Sequence, residues 1–216
     1  MGCVSAKKII IKLNSSPTSL KTKVEDMVPI LAVEVLTKRK ITDFFSDRDL
    51  ETIMKVGLNA ISTMIAGKFQ EEFNYQGDLA YKSIATQQIV DSVLAIIIAK
   101  NERIESELLL RSFRSGLSTA IQEGETEEKK LALFVQEFCF YLLYFLILES
   151  TIEALHDVYP EEPMRNLDKL IKDSARRIVN TNLIEDIRKL ITGQINVSNL
   201  VSLFKDNAKK VKVGAF

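Results

Sequence analysis

The residues with the types and spacing to do chemistry are Glu149, Glu153 and His156, in the stretch LESTIEALHDVYP. They stand at i, i+4 and i+7, so a helix brings two carboxylates and an imidazole onto one face. Such a stripe ligates a metal or shares a proton, and Glu153 to His156 is the ExxH half of a carboxylate di-metal motif. The full motif needs a second ExxH, and His156 is the only histidine in the chain. The three residues therefore read as the polar end of a helix emerging into water, and no metal or cofactor is expected.

Glu137 sits beside the most apolar run of the chain, where an unpaired carboxylate is costly. It either shares the one wet side of its helix with Gln136 or pairs with a cation such as Arg111 or Arg114. Both roles are structural. A single histidine, no Gly-rich phosphate loop and no nucleophile elbow argue against most hydrolase, kinase and dehydrogenase mechanisms, so the chain is read as a non-enzyme with no catalytic residues.

Two features suit an anionic partner. Arg165, Lys169, Lys172, Arg176 and Arg177 recur at three- and four-residue spacing, as a helix contacting phosphates presents its cations. The stretch from Ile187 to Phe204 has the outline of a helix-turn-helix with Gly193 in the turn. Lys189 stands where that motif wants a small residue, however, and Asn196 where it wants an apolar one. Met1-Gly2-Cys3 resembles the start of doubly acylated proteins, with Lys7 and Lys8 suited to an anionic membrane, but Ala6 occupies the position where the signal carries Ser or Thr.

The element that must position these groups is the stretch from Leu131 to Glu149. Phe138 to Leu148 is an unbroken run of eleven apolar residues, five of them aromatic. Leu131, Phe134 and Val135 before it, and Ile152 and Leu155 after it, extend it at helical spacing. Thr126 supplies an N-cap, Glu127 and Glu128 suit the positive pole of the macrodipole, and Pro160 ends the helix. Gln136, Glu137 and Glu149 interrupt the run well short of the roughly 20 apolar residues of a membrane span. A helix apolar on every side must then be wrapped by other helices. Phe134, Phe138, Tyr141 and Phe145 read as its core contacts rather than as a ligand pocket.

The flanking sequence supplies the wrapping. KKIIIKL, residues 7–13, is β-prone and reads as an extended arm or edge strand. A helix follows with Val24, Met27, Val28, Leu31, Val35 and Leu36. Thr22 and Glu25 form a capping box, and Pro29 marks a kink or the helix start. Ser46 and Asp47 open the next helix, whose seam is Leu50, Met54, Gly57, Ile61 and Met64, extended by Ile65 and Phe69. Gly57 and Ala60 allow close approach of a neighbour, and Asn74 and Gly77 mark the stop. A third apolar stretch, Ile89 to Ala99, continues past Asn101 as one bent helix or as two. Three shorter helices follow Pro160.

Eight glycines and four prolines in 216 residues favour long helices. The expected fold is all-α: a single-domain bundle of about seven helices around a buried central helix over about 126–158. Residues 1–17 form an arm, 18–159 the bundle core, and 160–216 a basic C-terminal helical subdomain. Cys3 and Cys139 form no disulfide framework, which points to a cytoplasmic compartment. Net charge is zero but segregated: +5 over residues 1–40, −11 over 41–163 and +6 over 164–216. The ends either neutralise the middle or face an anionic partner. The expected function is a helical binding or regulatory protein acting through protein-partner contacts or self-association. The alternatives are a nucleic-acid-associated factor using the five cations above, and a membrane-interacting protein that exposes its apolar centre.

Overall fold

Thr126 caps the long helix as its position predicts: its hydroxyl accepts from the Lys129 amide at 3.3 Å. Thirty-four residues later Pro160 offers no amide, and the last helical bond is Tyr159 N–H to the Leu155 carbonyl at 2.8 Å. This helix, Glu127–Val158, dominates the computed structural model, which describes residues 6–8, 10–11, 23–38, 46–76, 82–100 and 106–210. In chain order these residues form α1 (Val24–Lys38), α2 (Asp47–Ile65), α3 (Phe69–Glu72), α4 (Lys82–Lys100), α5 (Glu107–Glu123), α6 (Glu127–Val158), α7 (Met164–Asn182), α8 (Ile184–Ile191) and α9 (Val197–Lys210). The fold is all-α, and no strand occurs among the described residues.

The helices gather into two compact units that do not follow chain order. The first comprises residues 1–41, 143–183 and 204–216, and the second 42–142 and 184–203. Both α6 and α9 contribute residues to each unit. In the first unit α1 packs on α7; in the second α5 packs on α4 and α2.

The second unit is built on two close approaches to α6. Gly57 of α2 faces the Phe134 ring so closely that a β-carbon there would lie 2.1 Å from its tip. Gly116 of α5 faces the α6 main chain, 2.8 Å from the Phe138 nitrogen by the same construction. Neither position has room for a larger side chain. Phe113 meets Phe134 edge-on at 5.8 Å and Phe138 stacks on Phe134 at 5.9 Å, the arrangements that aromatic quadrupoles favour. The small-residue seam anticipated at Gly57 is thus the contact that admits the aromatic stripe.

α6 is long and apolar enough to cross a membrane, yet 67% of its most apolar window is buried by protein. From Phe134 to Ile147 every residue is buried except Gln136 and Tyr141, which are half-buried. Polarity returns on one side near the end: Glu149, Glu153, His156 and Asp157 are exposed while Ala154 and Leu155 stay buried.

Two expectations are corrected and one alternative is decided. Residues 6–8 and 10–11 are helical rather than an extended arm or edge strand; Ala6 and Ile10 are buried and Lys7, Lys8 and Ile11 exposed, a helical i, i+4 pattern that tertiary contact favours over β propensity. Of the two alternatives for Pro29, the structure takes the one that keeps it inside the helix: α1 begins at Val24, and a proline at the sixth position removes only one helical bond. α2 stops at Gly67, well before Asn74, because Gly67 takes φ +68° and the Lys68 amide closes on the Thr63 carbonyl at 2.8 Å. Asn74, at φ 47°, ends the short α3 instead, with Tyr75 N–H on the Gln70 carbonyl at 3.0 Å. Thr22 and Gly77 lie outside the described residues. The stretch past Ile89 resolves into two helices, α4 and α5, the second capped by Ser106.

Candidate functional site

Chemistry needs titratable side chains that are both reachable and tuned. Cys139 is buried in α6, and burial pushes its thiol up to about 12, far from a nucleophilic thiolate at neutral pH. Glu137 is buried and engaged within the fold, while Arg114 pairs with Asp91 at 3.0 Å. Glu149, Glu153 and His156 share the exposed side of α6, and no group of three potential metal ligands occurs among the described residues.

The five cations of α7 divide by environment. At roughly 100° per residue, Arg165, Lys169, Lys172 and Arg176 lie within about 60° of arc, and Arg177 stands about 100° further round. Lys172 is spent internally: its ammonium donates to Asp168 at 2.8 Å and sits 5.2 Å over the Tyr144 ring. The Tyr144 hydroxyl donates to the same carboxylate. Burial raises the Asp168 pKa, but the bonds from Lys172 and Tyr144 outweigh it, leaving the carboxyl below the usual range. Arg176 is half-buried and also engaged. Arg165, Lys169 and Arg177 are exposed and form no ion pair among the described residues. Of the expected five-cation face, three charges reach solvent uncommitted.

The helix-turn-helix outline is real as backbone and poor as a reader of nucleic acid. Gly193, at φ +72°, turns the chain between α8 and α9. Asn196 and Asn199 cap α9 reciprocally: Asn199 N–H donates to Asn196 Oδ1 at 2.9 Å, and Asn196 N–H to Asn199 Oδ1 at 3.3 Å. Ser198 in the first turn donates to Glu51 of α2 at 2.6 Å. The first two turns of α9, where a recognition helix meets base edges, thus carry no cation and hold a carboxylate.

What the motifs did not reveal is a groove in the first unit. Ile152, Glu153, His156 and Asp157 of α6 and Met164 at the start of α7 line an open depression of about 360 Å³. Met164 is 50% exposed, one of few large apolar side chains left so. Asp157 on the rim receives the Lys7 ammonium at 2.8 Å, from 150 residues away in sequence. That hydrogen bond and the positive charge hold the Asp157 carboxyl below its ordinary pKa. A smaller polar cleft of about 130 Å³ lies between α4 and α5, bridged by Asp91 and Arg114. Its two charges satisfy each other.

Comparison with known protein families, with characterised proteins and with solved structures gives no match.

Proposed function

We propose that this chain is a non-enzymatic helical binding protein that acts through contacts with a protein partner. The observation that carries this reading is the groove of Ile152 and Met164. It leaves apolar surface of Ile152 and Met164 open within a rim of carboxylates. Methionine is flexible and polarizable, and suits surfaces that accommodate a partner's side chains. The inert thiol of Cys139 and the lone exposed imidazole of His156 support a binding role over a catalytic one.

The test is what co-purifies with the native protein, read by absorbance ratio and mass spectrometry. A stoichiometric protein partner that releases on Met164→Asp substitution supports the reading; nothing but the chain itself refutes it. Arg165, Lys169 and Arg177, exposed and without an ion pair among the described residues, favour a nucleic-acid-associated protein as the second reading. It requires retention on a polyanion column at low salt, with a salt slope that falls by about one phosphate equivalent per cation removed.

A further inference from the structure

We infer that the groove receives a lysine- or arginine-bearing amphipathic helix of the partner protein. The inference rests on the binding reading above and names the chemistry of the partner. Three observations carry it.

Charge comes first. Between residues 149 and 162 the chain holds Glu149, Glu153, Asp157, Glu161 and Glu162 with no lysine or arginine. All but the half-buried Glu162 are exposed, so the α6 side of the groove is anionic and complementary to a basic segment, while Arg165, next to Met164, is an exposed cation on the α7 side. Register comes second. Glu153 and Asp157 stand at i and i+4 on one helix, about 5–6 Å apart at their β-carbons. Basic residues at i and i+4 of a facing helix match that repeat, and the apolar residues between them fall toward Ile152 and Met164, as in helix-in-groove recognition.

The third observation is that the rim already holds such a segment from its own chain. Residues 6–8 and 10–11 are helical, bury Ala6 and Ile10, and present Lys7 to Asp157. A basic amphipathic segment is thus accepted at one end of the groove, while Glu153 and Met164 stay exposed among the described residues. Lys7 is also a competitor, since a partner cation reaching Asp157 must share or displace it.

The experiment uses the full chain and a fluorescein-labelled 18-residue peptide of leucine and lysine patterned at i, i+3, i+4, with a leucine–glutamate peptide of the same pattern as control. Fluorescence anisotropy is expected to show saturable binding of the lysine peptide alone. Glu153→Gln with Asp157→Asn weakens it at least tenfold, Met164→Ser several-fold, and Lys7→Ala tightens it several-fold by freeing Asp157. Far-UV circular dichroism confirms that each variant is folded. No binding of the lysine peptide, equal binding of the glutamate peptide, or weaker binding on Lys7→Ala overturns the inference. So does concentration-dependent self-association abolished by the double rim variant, which assigns the groove to a second copy. The broader binding reading falls separately, when no protein co-purifies.

Discussion

Gly57→Ala tests the close approach on which the second unit is built. In an isolated helix the change stabilises by about 1 kcal/mol, because alanine has the better propensity. Here the new methyl would stand 2.1, 2.5 and 2.7 Å from three atoms of the Phe134 ring. Ordinary carbon contacts are about 3.5–4.0 Å, so the ring must retreat by about 1.4 Å. It has nowhere to go: Phe134 is fully buried, with Phe113 at 5.8 Å and Phe138 at 5.9 Å. Overpacking of this kind costs about 3 kcal/mol, leaving a net loss of about 2 kcal/mol after the propensity gain. For a chain of this size that lowers the melting temperature by about 4–8 °C. Phe134→Leu alone costs about 1.5 kcal/mol by leaving a cavity. The double variant should be no less stable than Phe134→Leu, because the shorter side chain clears the methyl. The measurement is far-UV circular dichroism through thermal and urea unfolding of all four proteins. A higher melting temperature for Gly57→Ala, or additive losses in the double variant, refutes the packing argument.

Gly116→Ala should destabilise by about 3 kcal/mol or more, and Phe138→Leu should not rescue it, because the clash is with the α6 main chain at 2.8–2.9 Å; urea unfolding of the single and double variants measures both. Asp168 has a folded pKa below its unfolded value, so its stabilising contribution is complete above about pH 4 and fades as acidification carries the folded carboxyl through its titration. Tyr144→Phe should cost about 1 kcal/mol at neutral pH, and Asp168→Asn should flatten the acid limb of a melting-temperature profile; an unchanged limb refutes the assignment. In a Cys3→Ser background, Cys139 should react with a disulfide reagent orders of magnitude more slowly than a free thiol at pH 8, and urea should accelerate it. Rapid stoichiometric labelling of the native protein contradicts its burial.

The long helix and its ends were readable because their causes are local. An apolar run flanked by Thr126 and Pro160 admits one element, and Ser46 announces its helix by the same capping chemistry, while the cap at Ser106 went unread. Gly57 was readable as a thin place in a seam, though its partner Phe134, seventy-seven positions later, was not. The end of α2 was misjudged because Phe69 continues the seam's spacing across a turn that Gly67 alone terminates. Residues 6–8 and 10–11 were misjudged because isoleucines suit strands, and only tertiary contact, seen in the burial of Ala6 and Ile10 and the Lys7–Asp157 pair, decides for a helix. The groove was legible only through Glu153 and His156, two residues of the polar stripe on the long helix. It depends on Asp157 meeting Lys7 and on Met164 arriving beside Ile152, pairings that leave no periodic trace. The cationic stripe was legible as spacing, but Asp168 and Tyr144, which occupy Lys172, were not visible as its neighbours.

The chain passes between the two compact units after residues 41, 142, 183 and 203, and the second and fourth passes fall inside unbroken helices. Neither unit is therefore a contiguous fragment that a gene boundary or a protease could release whole. A cut between Leu142 and Leu143 severs a helix in mid-turn and strands four amides and four carbonyls in an apolar setting. Truncation series should yield either the complete molecule or insoluble remnants, and functional dissection has to proceed by point substitution rather than by excision.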